Sequence, residues 1–241
     1  MKISAVVPAF NEEKLLAGSL AEIKAAATAF AARGWEFELV VCDNNSTDGT
    51  ADIAHAAGAK VVFEPVNQIA RARNTGASIA TGDWLVFVDA DSHPCAGLFA
   101  DVAEQISSGK VLAGGALVRL DENSFKVRLL TCFWDCISRC GKLMAGAFIF
   151  VEAAAFRQLG GFNNGLFAGE ELDLSSRLKK LGRQQGRRLV ILNRHPIKTS
   201  ARKLKLYTGR ELLGFFLRAA LNQRRMLSSP EKAYLWYDGR R

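Results

Sequence analysis

"FELVVCDNNSTDGT", Phe37 to Thr50, holds a strand, a loop and a helix start in one short stretch. Phe37 to Cys42 is rich in apolar and β-branched residues, Asp43 to Ser46 is polar and turn-forming, and Thr47 or Asp48 is placed to cap a helix running through Ala57. The residues before it have the same form. Ile3 to Val7 reads as a buried parallel strand that stops at Pro8, and Leu16, Leu20, Ile23, Ala27 and Phe30 recur at helical steps through to Gly34. The residues after it continue the alternation, with a strand at Lys60–Phe63, a helix at Ile69–Ala80 and a strand at Trp84–Val88. Alternating strands and helices with short connections predict an α/β protein with a mostly parallel sheet, helices on its faces and right-handed crossovers. Ligands of such sheets bind beyond the carboxyl ends of the strands, where Pro8–Glu12, Asp43–Asp48 and Asp89–Asp91 fall.

The second half is less regular. Strands are predicted at Val111–Val118, Ala147–Val151 and Arg188–Leu192, and a helix at Glu170–Leu181 ended by Gly182. Phe125, Leu129, Phe133 and Ile137 form a helical stripe, and Lys203–Met226 reads as a long basic helix. The domain reading is one body over residues 1–200 and a basic C-terminal helical extension over 201–241.

The chain has 241 residues and a net charge of +8, with 49% hydrophobic and 23% charged residues, which excludes a largely disordered polymer. From Arg187 onward, 14 Lys and Arg face only Glu211, Glu231 and Asp238, so the positive charge belongs to the C-terminal end. That bias suits nucleic acid, an anionic membrane or phosphorylated ligands. Nucleic acid has only the charge behind it, with no interleaved aromatics. Five cysteines, an odd number with no signal peptide before the first strand, predict a reducing, cytoplasmic setting. Cys132, Cys136 and Cys140 share a helical face, where they serve as soft metal ligands or as small buried residues. The longest apolar run, "LLGFFLRAAL" at Leu212–Leu221, is too short for a span of about 20 residues and carries Arg218.

"WLVFVDADS" ends a buried strand in two aspartates one residue apart. Asp89 and Asp91 repel unless a cation joins them, and a hard divalent ion shared with a phosphorylated ligand needs only such a sparse pair. The competing reading is a polar turn. Asn11, Glu12, Asp43 and Asn44 close two neighbouring strands and tilt the reading toward a nucleotide site.

The motifs "VVPAFNEE", "VVCDNNSTDGT", "ARNTGASIATGDWLVFVDADS", "GAFIFVEAAAFRQLGGFN" and "FAGEELDLSSRLKKLG" occur in an order that resembles a family 2 glycosyltransferase with the Rossmann-like GT-A fold, over roughly residues 2–182. The resemblance implies inverting transfer of a sugar from a nucleoside diphosphate sugar to an acceptor hydroxyl, with Mg²⁺ or Mn²⁺ bound. It makes Pro8, Ala9, Phe10 and Glu12 a nucleotide-cradling loop, Asp43 the reader of the base with Asn44 beside it, and Arg73 a neighbour of the donor. It places Asp89 near ribose and metal, makes Asp91 the direct metal ligand, and sets Gly146 and Phe148 on the border of donor and acceptor. In "GEELD" it makes Glu171 the general base where the family carries aspartate, with Glu170 and Asp173 in reserve; as plain chemistry all three suit the first turn of a helix.

His195, after the strand "RLVIL", falls where some enzymes of this fold place a third metal ligand, or serves as a cap or surface residue. His93 lies near the expected metal, His55 inside a helix, and Trp134 fills core or stacks on a sugar. The absence of a Gln-x-x-Arg-Trp motif favours single addition over polymerisation. Leu206, Leu213, Phe216, Leu217, Ala220 and Leu221, flanked by basic residues, suit either packing on the body or peripheral attachment to the anionic inner face of a membrane. The membrane reading implies a lipid-linked acceptor, otherwise a saccharide, in cell-surface glycan or glycolipid synthesis. Two other classes are weighed: a nucleotidyltransferase, disfavoured by the lack of a Gly-rich phosphate loop after Val7, and a degenerate nucleotide-sugar-binding protein without catalysis.

Overall fold

The computed structural model describes residues 1–122, 135, 138–144 and 146–200. A single eight-stranded sheet runs in the order β3-β2-β1-β4-β7-β6-β8-β5. Its strands are β1 (Lys2–Ala9), β2 (Glu36–Asp43), β3 (Lys60–Phe63), β4 (Trp84–Val88), β5 (Ser92–His93), β6 (Val111–Leu120), β7 (Phe148–Glu152) and β8 (Arg188–Thr199). The half that the alternating pattern predicts, β3-β2-β1-β4, is wholly parallel. Beyond it β7 reverses direction between β4 and β6, while β6 and β8 are parallel again and β5 pairs antiparallel with the end of β8.

Continuous apolar runs form the central strands because both faces are covered. Along β1, Ile3, Ala5, Val7 and Ala9 enter one core with α1 (Leu16–Ala26), α2 (Thr28–Ala31) and α5 (Ala96–Ser107). Val6, Leu85 and Phe87 point the other way, toward α4 (Ile69–Ile79), α6 (Ala153–Gln158) and α7 (Glu170–Gln184). There Phe87 meets Phe162 edge-on at 5.1 Å and Phe156 at 5.3 Å, aromatic contacts that add to simple area burial. Each fully buried Phe contributes about 1.5–3 kcal/mol.

Several expectations need correction. The helix expected through Gly34 breaks after Ala26, where the Thr28 hydroxyl donates to the Ala25 carbonyl at 2.7 Å and competes with the helical ladder. The next helix, α3 (Thr50–Ala56), starts later than predicted, although Asp48 still accepts the Thr50 N–H at 3.0 Å. Gly182 does not end α7 but lies inside it, where glycine is needed because a Cβ would sit 2.7 Å from the Arg187 carbonyl oxygen. The last strand runs on to Thr199, past the predicted end at Leu192, and α5 and α6 were not anticipated. The striped helix with Phe125, Leu129, Phe133 and Ile137, Trp134, Cys132, Cys136 and the whole 201–241 extension lie outside the described residues. Among the described residues no helix is long and apolar enough to cross a membrane.

Candidate active site

Helix α4 packs across β1 and β2 and carries one side chain that dominates the carboxyl edge of the sheet. Arg73 is 2% exposed. Its Nη1 donates to Glu170 Oε1 at 2.7 Å, and its Nη2 donates to Asp89 Oδ1 at 2.9 Å and to the Gly146 carbonyl at 3.0 Å. The guanidinium also lies 5.2 Å above the Phe162 ring. A buried cation needs compensating partners, and here two carboxylates, a carbonyl and an aromatic face surround it, although the buried Nε has no hydrogen-bond partner among the described residues. Their charges outweigh desolvation and hold the Arg73 pKa above its ordinary value. Gly146 is glycine for a local reason: a Cβ would approach Nη2 to 2.9 Å.

Around this arginine lies a cavity of about 220 Å³, lined by Arg73, Asp89, Gly146, Phe167, Glu170 and Glu171 among others. Gly169 enters α7 with φ 72°, a left-handed conformation that favours glycine, and the next two residues are the acids. Glu170 is buried and bound to Arg73, whereas Glu171 faces the cavity and remains half-buried. Burial, followed by the charge of Glu170, pushes the Glu171 carboxyl up to about 8, against the downward pull of Arg73. Two cavity glutamates and Asp89 thus meet a single cation, and their mutual repulsion favours keeping a proton on the glutamate pair.

The structure separates the remaining expected site residues. Asp173 is not brought to the cavity: its carboxylate pairs with Arg177 at 2.7 Å, one helical turn on, while Arg177 also bonds the Leu159 and Gly161 carbonyls. Phe148 is fully buried in the core, with its ring 6.1 Å from that of Phe99, so its inward position in β7 keeps it off the site border. Asn44 serves as a strut, donating to the Glu64 and Val66 carbonyls and accepting the Gln68 N–H, which leaves its amide engaged by the 64–68 loop.

Asp43 ends β2 beside Ala9, buried, and accepts the Ser46 N–H at 3.0 Å. Pro8 and Ala9 complete β1, and the loop after them is interlocked with the second: Asn11, at φ 50°, takes the Thr47 N–H on its side chain and gives its own N–H to Ser46. The Glu12 N–H donates to Thr50 at 2.8 Å, and Phe10 is half-buried. Asp91 is 9% exposed and accepts the Thr199 hydroxyl at 3.3 Å.

His195 is placed elsewhere. It lies within β8, packed against Gly97, with its Nδ1 3.0 Å from Asp101, because the strand continues for four residues and presents Thr199 to Asp91. His93 Nδ1 lies 3.3 Å from a Glu22 carboxylate oxygen, and His55 is exposed on α3. Among the described residues no cluster of three or more His, Cys, Asp or Glu forms a self-sufficient metal cage. Thr199 and Gln68 escaped the sequence reading. Gln68 is buried, and its amide nitrogen donates to the Asn164 and Leu166 carbonyls, fixing the loop that leads to Phe167. The "NQ" before a helix gave the only hint, while nothing near Thr199 marked it.

The fold is that of the GT-A glycosyltransferases. A mannosyltransferase from Pyrobaculum calidifontis, solved with GDP-Man and Mn²⁺, superimposes with a TM-score of 0.68 at 19% identity, covering 98% of this chain and 68% of that one. TarS from S. aureus in complex with UDP-GlcNAc gives 0.64 at 18% identity, covering 98% and 69%. The glucosyl-3-phosphoglycerate synthase of Mycobacterium tuberculosis, in complex with Mn²⁺, UDP and glucosyl-3-phosphoglycerate, gives 0.60 at 20%, covering 92% and 79%. The chain belongs to glycosyl transferase family 2, which matches residues 4–156. An uncharacterized glycosyltransferase of Mycobacterium tuberculosis is 34% identical over 113 residues, 47% of this chain and 47% of that one. The chain thus spans about half the length of this relative, and less of several other curated relatives it matches.

Proposed function

We propose that the protein is an inverting, metal-dependent glycosyltransferase that moves a sugar from a nucleoside diphosphate sugar to an acceptor hydroxyl, with Glu171 as general base. The observation that carries this reading is the cavity in which Glu171, its proton affinity raised, lies beside Glu170, whose carboxylate shares Arg73 with Asp89. General bases work best with a pKa near the operating pH, and Glu171 is shifted in that direction.

Asp89 and Asp91 would hold Mg²⁺ or Mn²⁺. Their hard oxygen donors suit these ions, and a pair without a closed cage fits a cation shared with a diphosphate. When bound, the cation stabilises negative charge on the departing diphosphate as a Lewis acid. Asp89 keeps about 30% of its side chain exposed while Arg73 fixes its other edge, so its carboxylate is both oriented and accessible. The interlocked loops after β1 and β2 bring Pro8, Ala9, Phe10, Glu12 and Asp43 to the region where the nucleotide would lie, with Asp43 reading the base.

Glu171 then receives the acceptor hydroxyl's proton on a carboxylate oxygen. Inversion requires attack from the face opposite the leaving group, so donor and base occupy opposite walls of the site. Glu170 does not share this task, because Arg73 holds it at 2.7 Å; it positions and electrostatically raises Glu171. The basic 201–241 segment supports an acceptor at an anionic membrane surface, lipid-linked or saccharide, on the cytoplasmic side. Incubating the purified chain with Mn²⁺ and UDP-GlcNAc or GDP-Man, and following nucleoside diphosphate release, tests the reading. Donor turnover abolished by EDTA supports it; turnover indifferent to EDTA removes the metal from it, and no turnover with any nucleotide sugar would leave only a binding protein.

A further inference from the structure

A second cavity, of about 340 Å³, opens between the amino half of β8 and the 138–144 stretch. Arg139, Lys142 and Arg188 line it together with Asn193, above an apolar floor supplied by β8. No acidic side chain is among its described lining residues. Several arginines elsewhere have acidic partners, while Arg33, Arg71 and Arg157 bond neutral oxygens. Arg119 pairs with Asp135, Arg177 with Asp173, Arg187 with Glu152, and Arg194 with Asp101 and Glu104. Among the described residues no carboxylate pairs with Arg139, Lys142 or Arg188.

More cations press on the same wall. Lys179 on α7 donates to the Gly141 carbonyl, and burial together with the charges of Arg183 and Lys142 lowers its pKa. Lys142 itself follows the helical residues 138–141 at φ 48°, a left-handed position where glycine is the usual occupant. Like charges crowded into a concavity without counter-charge raise the local potential and attract a multivalent anion. Arginine forks match pairs of phosphoryl oxygens, lysine adds a point charge, and the volume falls within the range of about 300–1,000 Å³ usual for small-ligand sites.

We propose that the cavity walled by Arg139, Lys142 and Arg188 binds a phosphoryl group, of a soluble phosphorylated ligand or of a lipid headgroup. Phosphate oxygens seat on the two guanidinium groups, and the apolar floor of β8 takes the adjoining carbon skeleton. Neither Arg139 nor Arg188 lines the cavity around Arg73, so this site stands or falls independently of the transferase reading.

The test uses the full chain and two probes. Inorganic pyrophosphate is titrated by calorimetry in EDTA, and flotation is measured with phosphatidylglycerol vesicles against phosphatidylcholine vesicles. The Arg139→Gln/Arg188→Gln variant removes exposed side chains and folds as the parent; Lys24→Gln/Arg33→Gln removes the same charge from the opposite helical layer. The expected result is at least a tenfold weakening in the first variant and little change in the second. Weakening seen with pyrophosphate assigns a soluble ligand, and weakening seen only with anionic vesicles assigns a headgroup. Binding of both probes unchanged by the first variant, or weakened equally by both variants, overturns the proposal.

Discussion

Buried glutamates sit at both ends of the sheet, and their surroundings give them opposite chemistry. At the amino edge, Glu38 accepts from Ser4, from the Thr81 N–H and hydroxyl, and from Lys60, with Lys2 at 3.1 Å. Burial alone would raise its pKa, but Lys60, Ser4, Thr81 and Lys2 outweigh it and hold the carboxyl well below the usual carboxylate range. At the carboxyl edge, Glu170, Glu171 and Asp89 crowd one arginine, and Glu171 moves the other way. Where donors exceed acids a carboxylate becomes a structural clamp; where acids exceed donors one of them retains a proton that it can exchange. The first arrangement ties β1, β2 and the turn before β4 together, and the second raises the proton affinity of Glu171.

Substitutions separate the two edges, and the largest effect is expected at Arg73. Arg73→Met leaves the buried Glu170 and the partly exposed Asp89 without their cation and should cost about 3–5 kcal/mol, read by urea unfolding. An unfolding midpoint equal to the parent's would show that the carboxyl-edge cluster is not held by this residue. Glu38→Gln should cost about 1.5–3 kcal/mol at neutral pH through lost charge-assisted hydrogen bonds. Its pKa is depressed in the folded state, so its stabilisation is complete above the unfolded value and fades as pH falls; the gap between variant and parent should narrow in acid.

Glu171 should show the reverse slope. The folded carboxyl binds its proton more tightly than the unfolded one, so the parent loses stability as pH rises from 4.5 toward about 8. Glu171→Gln should therefore gain on the parent with increasing pH, by something on the order of 1 kcal/mol, since the half-buried carboxyl is partly screened. A gap independent of pH would remove the raised proton affinity. Asp173→Asn touches only a partly exposed pair one turn apart and should cost about 0.3–0.5 kcal/mol, with catalysis unaltered. A large loss of turnover would return Asp173 to the site.

The parallel half of the sheet was legible because its strands are buried on both faces and their apolar runs end in polar loops, as in Trp84–Val88 followed by Asp89. The antiparallel course of β7 was not, since the apolar run Phe148–Val151 has no direction in sequence. Helix α5 was missed although Leu98, Phe99, Val102 and Ile106 mark a helical face. At the site, the acids of "GEELD" were visible as a group, with Glu171 picked out only through the family resemblance, but their separate surroundings were not: Arg73 meets Glu170 across a separation of 97 residues, and Arg177 claims Asp173. The surroundings of His195 were hidden for the same reason: its strand ran seven residues past Leu192, and Asp101 on the unforeseen α5 became its partner.

The central claim is that Glu171 takes the acceptor proton while Asp89 and the loops after β1 and β2 bind the donor. Turnover of a nucleotide sugar that the parent accepts, measured in Glu171→Gln beside calorimetric binding of the matching nucleoside diphosphate with Mn²⁺, tests it directly. The account predicts a turnover loss of about 10²–10⁴-fold with unchanged nucleotide affinity. Turnover retained in Glu171→Gln would contradict it.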